Sequence, residues 1–363
     1  MRSSNGSTNP AIRYEADEQC PLWMSLSVGL QGTVFALAPL VLVVAITARA
    51  GGQDEGYLSW AVFASLVISG CLTALQGSRF WRFGAGNLLI MGTTPNFVAV
   101  SVLALAAGGP PLLASLVVVG SLSYLALAIW LPLLRRIITP VVSSTVLMLI
   151  AVAVLPIALD RVQEVPQGAS IAAGPTVAFI TLAVVVCLAL RTAGAWRLWS
   201  PLIGIGAGCG VAILFGIYDF QRVIAAPWVG LATGYTPQFD LTFSPGFWAL
   251  LPVFVVVALV GGIKNIGDNV AIQQASQRSP QVTDYRRVQS SLNTNWLGIL
   301  SSGIAGTPPT TVYSSTSVSL VNLTGVASRR VGYVIGACLI VLGCSPNCRR
   351  YCSLFPPRSW APT

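Results

Sequence analysis

Lys264 and Asp268 are the two residues of this 363-residue chain whose types and spacing most invite chemistry. They stand at i and i+4 in Gly261-Gly262-Ile263-Lys264-Asn265-Ile266-Gly267-Asp268-Asn269, after 23 uncharged residues, and share one face if a helix runs through them. Lys264 is the only lysine. An ammonium and a carboxylate this deep in apolar sequence are costly to keep, and at membrane depth such a pair marks a functional site by default. Two plainer readings compete: a structural ion pair, or a span that ends early and leaves Lys264 at the interface. Asn265, Asn269, Gln273 and Gln274 extend the polar patch and favour function. A second cluster is Thr310-Thr311-Val312-Tyr313-Ser314-Ser315-Thr316-Ser317. Its hydroxyls both donate and accept, which suits a small heterocycle with alternating N–H and C=O groups; helix packing through small residues explains them equally well. The chemistry on offer is binding. With no histidine in the chain, Ser-His-Asp and Cys-His catalysis and His-ligated zinc are excluded. Cys344, Cys348 and Cys352 lack further ligands, so neither metal nor cofactor is expected.

The elements that must position these residues are membrane spans. Hydrophobic residues make up 54% of the chain and charged ones 9%, with mean hydropathy +0.75, which excludes a water-soluble enzyme. Uncharged stretches run over 19–48, 56–78, 83–134, 137–159, 165–190, 198–218, 241–263, 288–328 and 331–348. The third and eighth are long enough for two helices each, so nine stretches predict about eleven spans. The first 20 residues are polar, show no cleavable signal pattern and read as a short disordered cytoplasmic tail. Arginines divide eleven to three between loops after even-numbered and odd-numbered spans, which predicts a cytoplasmic N-terminus. That asymmetry also accounts for the net charge of +9 without a nucleic-acid partner.

Two spans break in the same way. Met91-Gly92-Thr93-Thr94-Pro95-Asn96-Phe97 opens the third, and Ala305-Gly306-Thr307-Pro308-Pro309-Thr310-Thr311 the tenth. Gly and Pro interrupt the helix, and the freed backbone groups need protein or a watered cavity. Equivalent breaks seven spans apart predict two seven-helix units facing opposite ways, the plan of secondary transporters that hold substrate at the midplane.

These residues resemble the nucleobase–ascorbate transporter family, also called nucleobase:cation symporter 2, in its bacterial uracil/xanthine permease branch. The likeness runs from about residue 22 to 343 through Gly29-Leu30-Gln31, Gly92-Thr93-Thr94, Leu131-Pro132-Leu133-Leu134-Arg135-Arg136, Pro140-Val141-Val142, Ile266-Gly267-Asp268 and Pro309 to Arg330, which ends Leu323-Thr324-Gly325-Val326-Ala327-Ser328-Arg329-Arg330. The resemblance implies an all-α polytopic membrane protein of the seven-plus-seven inverted-repeat fold, with short strand-like segments in spans 3 and 10. It further implies a core domain that binds a purine or pyrimidine base such as xanthine or uracil, a gate domain, H+ or Na+ as coupling cation, and a homodimer in the plasma or inner membrane. On that plan 1–22 is a tail, 23–136 carries core spans 1–4, 137–218 gate spans 5–7, 219–245 a loop and 246–343 core spans 8–11. The substrate-binding candidates are Thr94, Phe97, Lys264, Asp268, Ser315, Thr316 and Ser317, with Asp268 the candidate for ion coupling.

Three departures from the pattern stand out. Gly32 takes the place of a usual histidine, and Lys264 that of the usual glutamate ligand of the base. The tenth-span signature becomes hydroxyl residues, Thr316-Ser317 or Ser315-Thr316 depending on which end the count starts from. An ammonium only donates hydrogen bonds where a carboxylate accepts them. Lys264 therefore either stands in for the coupling cation near Asp268 or favours an anionic ligand such as deprotonated xanthine or urate. After Gly343 the character changes abruptly, and 348–363 admit a back-translation whose shifted frame encodes an apolar span. The segment 344–363 thus reads as a frameshifted tail, with about eleven of fourteen spans present. Beside the nucleobase carrier, an anion carrier of related fold and a truncated, non-transporting remnant remain as readings.

Overall fold

A computed structural model describes residues 12–129, 173–191, 195–215 and 235–345, except 241, 243 and 280. In chain order the elements are α1 (Leu22–Ala50), α2 (Glu55–Gly77), β1 (Met91–Thr93), a 3-10 turn (Pro95–Phe97), α3 (Val98–Ile129), α4 (Ala173–Arg191), α5 (Ala195–Leu214), α6 (Pro245–Ala275), α7 (Tyr285–Ile304), β2 (Thr310–Val312), α8 (Ser314–Thr324) and α9 (Arg329–Gly343). The chain divides into two units, one from 1–150 with 231–344 and the other from 151–230 with 345–363.

In the first unit the helices follow from long apolar runs. Thr33 and Thr47 donate to the carbonyls of Gly29 and Val43 at 2.8 and 2.7 Å, so hydroxyls inside α1 find partners in their own helix. Asp54 caps α2 by accepting from the Tyr57 N–H at 3.0 Å. Helices α1, α2 and α9 then meet through small residues. A methyl on Gly70 would lie 2.6 Å from the Gly336 carbonyl, and one on Gly29 would lie 2.4 Å from the Val334 side chain. Close backbone approach of this kind is how helices bind one another where no hydrophobic effect drives them together. The α3 segment is two helical runs hinged at Gly108-Gly109, where Gly109 takes φ 69° ahead of Pro110-Pro111. In the second unit α4 and α5 pack by the same device, Gly204 against Val185 and Gly208 against Thr181.

Four helices, Leu22–Ala50, Glu55–Gly77, Pro95–Ala126 and Pro245–Ala275, are long and apolar enough to cross a membrane. The expected eleven spans are not all visible as such. Helix α7 is rich in Ser and Asn, α8 and α9 have 11 and 15 residues, and the expected fifth span at 137–159 lies outside the described residues. Most of the tail at 344–363 lies outside them as well.

The N-terminal segment departs from the expected disordered tail. Over 12–20 it is a strap hydrogen-bonded to the α8–α9 junction: the Arg13 N–H donates to the Gly325 carbonyl at 2.7 Å, the Ala327 N–H to Tyr14 at 2.8 Å, and the Arg329 N–H to Ala16 at 3.2 Å. Its carboxylates are each held by an arginine from elsewhere. Asp17 accepts two bonds from Arg79, at 2.6 and 2.7 Å, and a third from Arg287. Glu18 pairs with Arg278 at 2.5 and 2.7 Å, and the Arg278 N–H donates to Glu15. Arg330 reaches Gln19. Polarity suggested solvation; the arginines read as orientation signals supply partners that composition does not reveal.

The Arg278 hydrogen bond, helped by the Glu15 N–H, holds the Glu18 carboxyl below its ordinary value of 4.5. Burial works to raise Asp17, but Arg79 and Arg287 outweigh it and hold that carboxyl below 3.8. A folded-state value below the unfolded one means the contribution is fully present above the unfolded value and is lost as pH falls through the folded one. Amide hydrogen exchange at Arg13, normalised to the rate of an unstructured peptide at each pH, should therefore be slow at neutral pH and lose its protection as the medium is acidified below about pH 4.5. The E18Q variant should be less protected at neutral pH and show a weaker dependence on acid.

Candidate functional site

The site is built on a break in the chain. Strands β1 and β2 pair antiparallel with Met91 opposite Val312, Gly92 opposite Thr311 and Thr93 opposite Thr310. Each strand runs almost directly into a helix, β1 through the 3-10 turn into α3 and β2 through Tyr313 into α8. Because the strands are antiparallel, the two helices leave the ribbon at opposite ends. Both begin there with N–H groups that the helix itself cannot pair and with the positive end of a helix dipole.

Several predicted residues turn out to hold this ribbon. The Ser317 hydroxyl accepts from the Ile90 N–H at 2.9 Å and donates to the Tyr313 carbonyl at 2.8 Å, so its hydrogen bonds are engaged by the backbone. Tyr313 donates its hydroxyl to the Thr93 carbonyl, and its ring lies over Gly92. Thr94 caps the 3-10 turn, its hydroxyl accepting from the Asn96 N–H at 3.1 Å, while its own N–H donates to the Pro309 carbonyl. Phe97 is buried against Phe254 with ring centroids 6.2 Å apart. Of the other hydroxyl candidates, Ser315 is exposed and Thr316 half-buried at the start of α8.

Helix α6 passes beside the first break. A methyl on Gly261 would meet Asn96 Nδ2 at 3.7 Å and Phe97 Cε2 at 3.8 Å, ordinary contact distances. One turn further along, Lys264 Nζ and Asp268 Oδ2 are 3.2 Å apart, with side chains 20% and 14% exposed. The helix thus continues through both residues, as i, i+4 spacing requires. Next to the pair, the buried Asn265 donates to the Tyr124 hydroxyl, and Asn269 Nδ2 donates to the Asn265 carbonyl at 2.7 Å. The rest of the polar patch separates from it: Gln273 exchanges hydrogen bonds with the backbone of Asp284, and Gln274 is exposed.

One participant, Tyr124, was missed in the sequence, and two others, Thr93 and Thr310, were named within motifs without being singled out. Tyr124 lies 141 positions before its partner Asn265 in an apolar run, where a lone tyrosine carries no signal beyond being polar. Thr93 and Thr310 face each other across the ribbon, fully buried, with hydroxyls that have no hydrogen-bond partner. Their shared register is visible only once the breaks are paired.

A methyl on Gly92 would sit 2.4 Å from the Tyr313 ring, which must then move and release Thr93. Gly92→Ala should lower stability by ~1–3 kcal/mol, the usual cost of overpacking. Gly261→Ala should be tolerated, and thermal unfolding of both variants in detergent separates the two cases.

Comparisons with known proteins identify the fold and the family. The transmembrane domain of a cyanobacterium bicarbonate transporter, BicA, superposes with a TM-score of 0.63 at 17% identity, covering 92% of this chain and 87% of that one, which establishes a shared fold. Xanthine permease XanP of Escherichia coli (strain K12) is 27% identical over 366 residues, covering 93% of this chain and 75% of its own. Uric acid permease PucK of Bacillus subtilis (strain 168) is 25% identical over 336 residues, covering 91% and 76%. A permease family model, Xan_ur_permease, matches residues 24–357, and the chain belongs to that family: it is a multi-pass integral membrane transporter and not an enzyme.

Proposed function

We propose that the chain carries a purine base of the xanthine or urate type across the plasma or inner membrane, with uracil as the pyrimidine alternative. The observation that carries this reading is the Lys264–Asp268 pair beside two broken chain segments, in a member of a permease family with xanthine and uric acid permeases among its relatives. The base would lie near the midplane between the third-, eighth- and tenth-span elements: the turn at Thr94–Phe97, the Lys264–Asp268 face of α6, and the first turn of α8 with Ser315 and Thr316. Lys264 donates to a carbonyl or anionic oxygen of the base, the exposed hydroxyl of Ser315 meets its N–H or C=O edge, and Ser317 keeps the ribbon in place. Helix N-termini at both breaks add positive potential for the same oxygens.

The antiparallel ribbon, with helices leaving at opposite ends, supports two inverted seven-span repeats. The first unit then acts as the core and the second as the gate. The arginines at the ends of α2, α6, α7 and α9 support a cytoplasmic N-terminus. The family resemblance supports a homodimer, and it makes Asp268 the group at which a coupling cation would bind if this chain uses one. A second reading, an inorganic-anion carrier, draws on the ammonium of Lys264 alone.

Counterflow into proteoliposomes tests the proposal. Labelled xanthine should exchange saturably with internal xanthine and be displaced by urate. Displacement by sulfate or a dicarboxylate and not by bases selects the anion carrier, and failure to exchange any base overturns the proposal. Lys264→Ala should weaken apparent affinity about tenfold or more, the equivalent of one charge-assisted hydrogen bond of roughly 1.5–3 kcal/mol. Unchanged exchange in that variant removes Lys264 from the site.

A further inference from the structure

The inventory of groups able to carry a coupling ion is short. The chain has no histidine and one lysine. Among the described residues, Asp268 is the one carboxylate that stands away from a helix end inside a helix long and apolar enough to cross a membrane. Glu15, Asp17 and Glu18 belong to the N-terminal strap, Asp54 and Glu55 to the start of α2, Asp240 to the segment before α6, and Asp284 to the cap of α7. The single interior acid is paired at 3.2 Å with the single lysine, one turn away on the same helix. Among the described residues, the elements packed on α6 place no second charged side chain in its interior stretch. Helix α3 contributes Tyr124, bonded to Asn265; α8 and the 3-10 turn carry no titratable residue; and α7 keeps its charges, Arg286 and Arg287, in its first turn.

A carboxylate that couples transport to a cation must bind that cation on one side of the membrane and give it up on the other. Crossing the barrier with the carboxylate charged and alone is disfavoured by desolvation, and this forces the ion to travel with the substrate. An ammonium tethered to the same helix removes that constraint, because the pair is neutral whether the carrier is loaded or empty. We infer that Lys264 is a built-in counter-ion occupying the cation position at Asp268, so that this carrier moves its substrate without stoichiometric H+ or Na+. Transport then equilibrates the substrate or exchanges it for another, and does not accumulate it. The inference rests on the proposed transport site and replaces the cation coupling that the resemblance implies.

The test has a substrate-free arm and a transport arm. In detergent, the thermal midpoint of the full chain should be the same in sodium and choline buffers and should show no step attributable to protonation of Asp268. The K264Q variant, with the carboxylate no longer matched, should gain a sodium- or acid-dependent rise of a few degrees, as expected for a ligand that binds only the folded state. K264R, which restores a cation, should be insensitive again. In proteoliposomes, labelled xanthine should reach its external concentration and no higher under an inward H+ or Na+ gradient. Cation-dependent stabilisation of the unmodified chain, or uphill accumulation of the base by it, overturns the inference. So does a K264Q variant that melts cooperatively yet responds to neither ion, because Asp268 then holds no cation with or without Lys264. If no base exchanges at all, the substrate reading fails while the melting arm still decides the role of Lys264.

Discussion

A polypeptide that leaves the helical state inside a bilayer must find partners for every backbone group it frees, because lipid offers none. In this protein the two interruptions solve the problem for each other. Residues 91–93 and 310–312 are far apart in sequence, yet each supplies the hydrogen bonds the other has lost. The rest of the site depends on that exchange. It sets where α3 and α8 begin, it brings the Thr94–Phe97 turn against Gly261, and it leaves the Lys264 face of α6 one turn away.

The hydroxyl-rich sequence around the second break has two kinds of work, and the structure separates them. Ser317 and Tyr313 bond the ribbon's backbone, while Ser315 is exposed at the head of α8. Thr93 and Thr310 belong to neither group. Two buried hydroxyls without partners in a packed ribbon are costly to keep, typically ~1–3 kcal/mol for each unsatisfied group, and they face the same side. The same sorting applies to the amides of α6. Asn265 and Asn269 form the inner wall beside the ion pair, and Gln273 anchors the turn that leads to α7.

What could be read in advance was local or periodic. The apolar runs of α1, α2 and α6, the Gly/Pro breaks and the i, i+4 relation of Lys264 and Asp268 are properties of short windows, and they reappear in the folded chain. What could not be read depends on partners 62 to 270 residues away. Tyr124 meets Asn265 from beyond the kink in α3 at Gly108-Gly109, and no short window shows that pairing. The strap over 12–20 looked like a solvated tail because its polarity is matched by Arg79, Arg278, Arg287 and Arg330, all distant in the sequence. Helix α7 falls short of a spanning helix in hydropathy for a related reason. Its Ser291, Thr294, Asn295 and Ser302 are buried in protein, so a helix inside the bundle can be more polar than one facing lipid.

The strap has a consequence for the order in which the protein is made. Its hydrogen bonds end on Gly325, Ala327 and Arg329, so residues 12–20 leave the ribosome about 310 residues before the backbone groups they bind. Residues 151–230, which belong to the second unit, are synthesised in between. The strap therefore docks late, and its protection from solvent reports that the chain has been made as far as the α8–α9 junction.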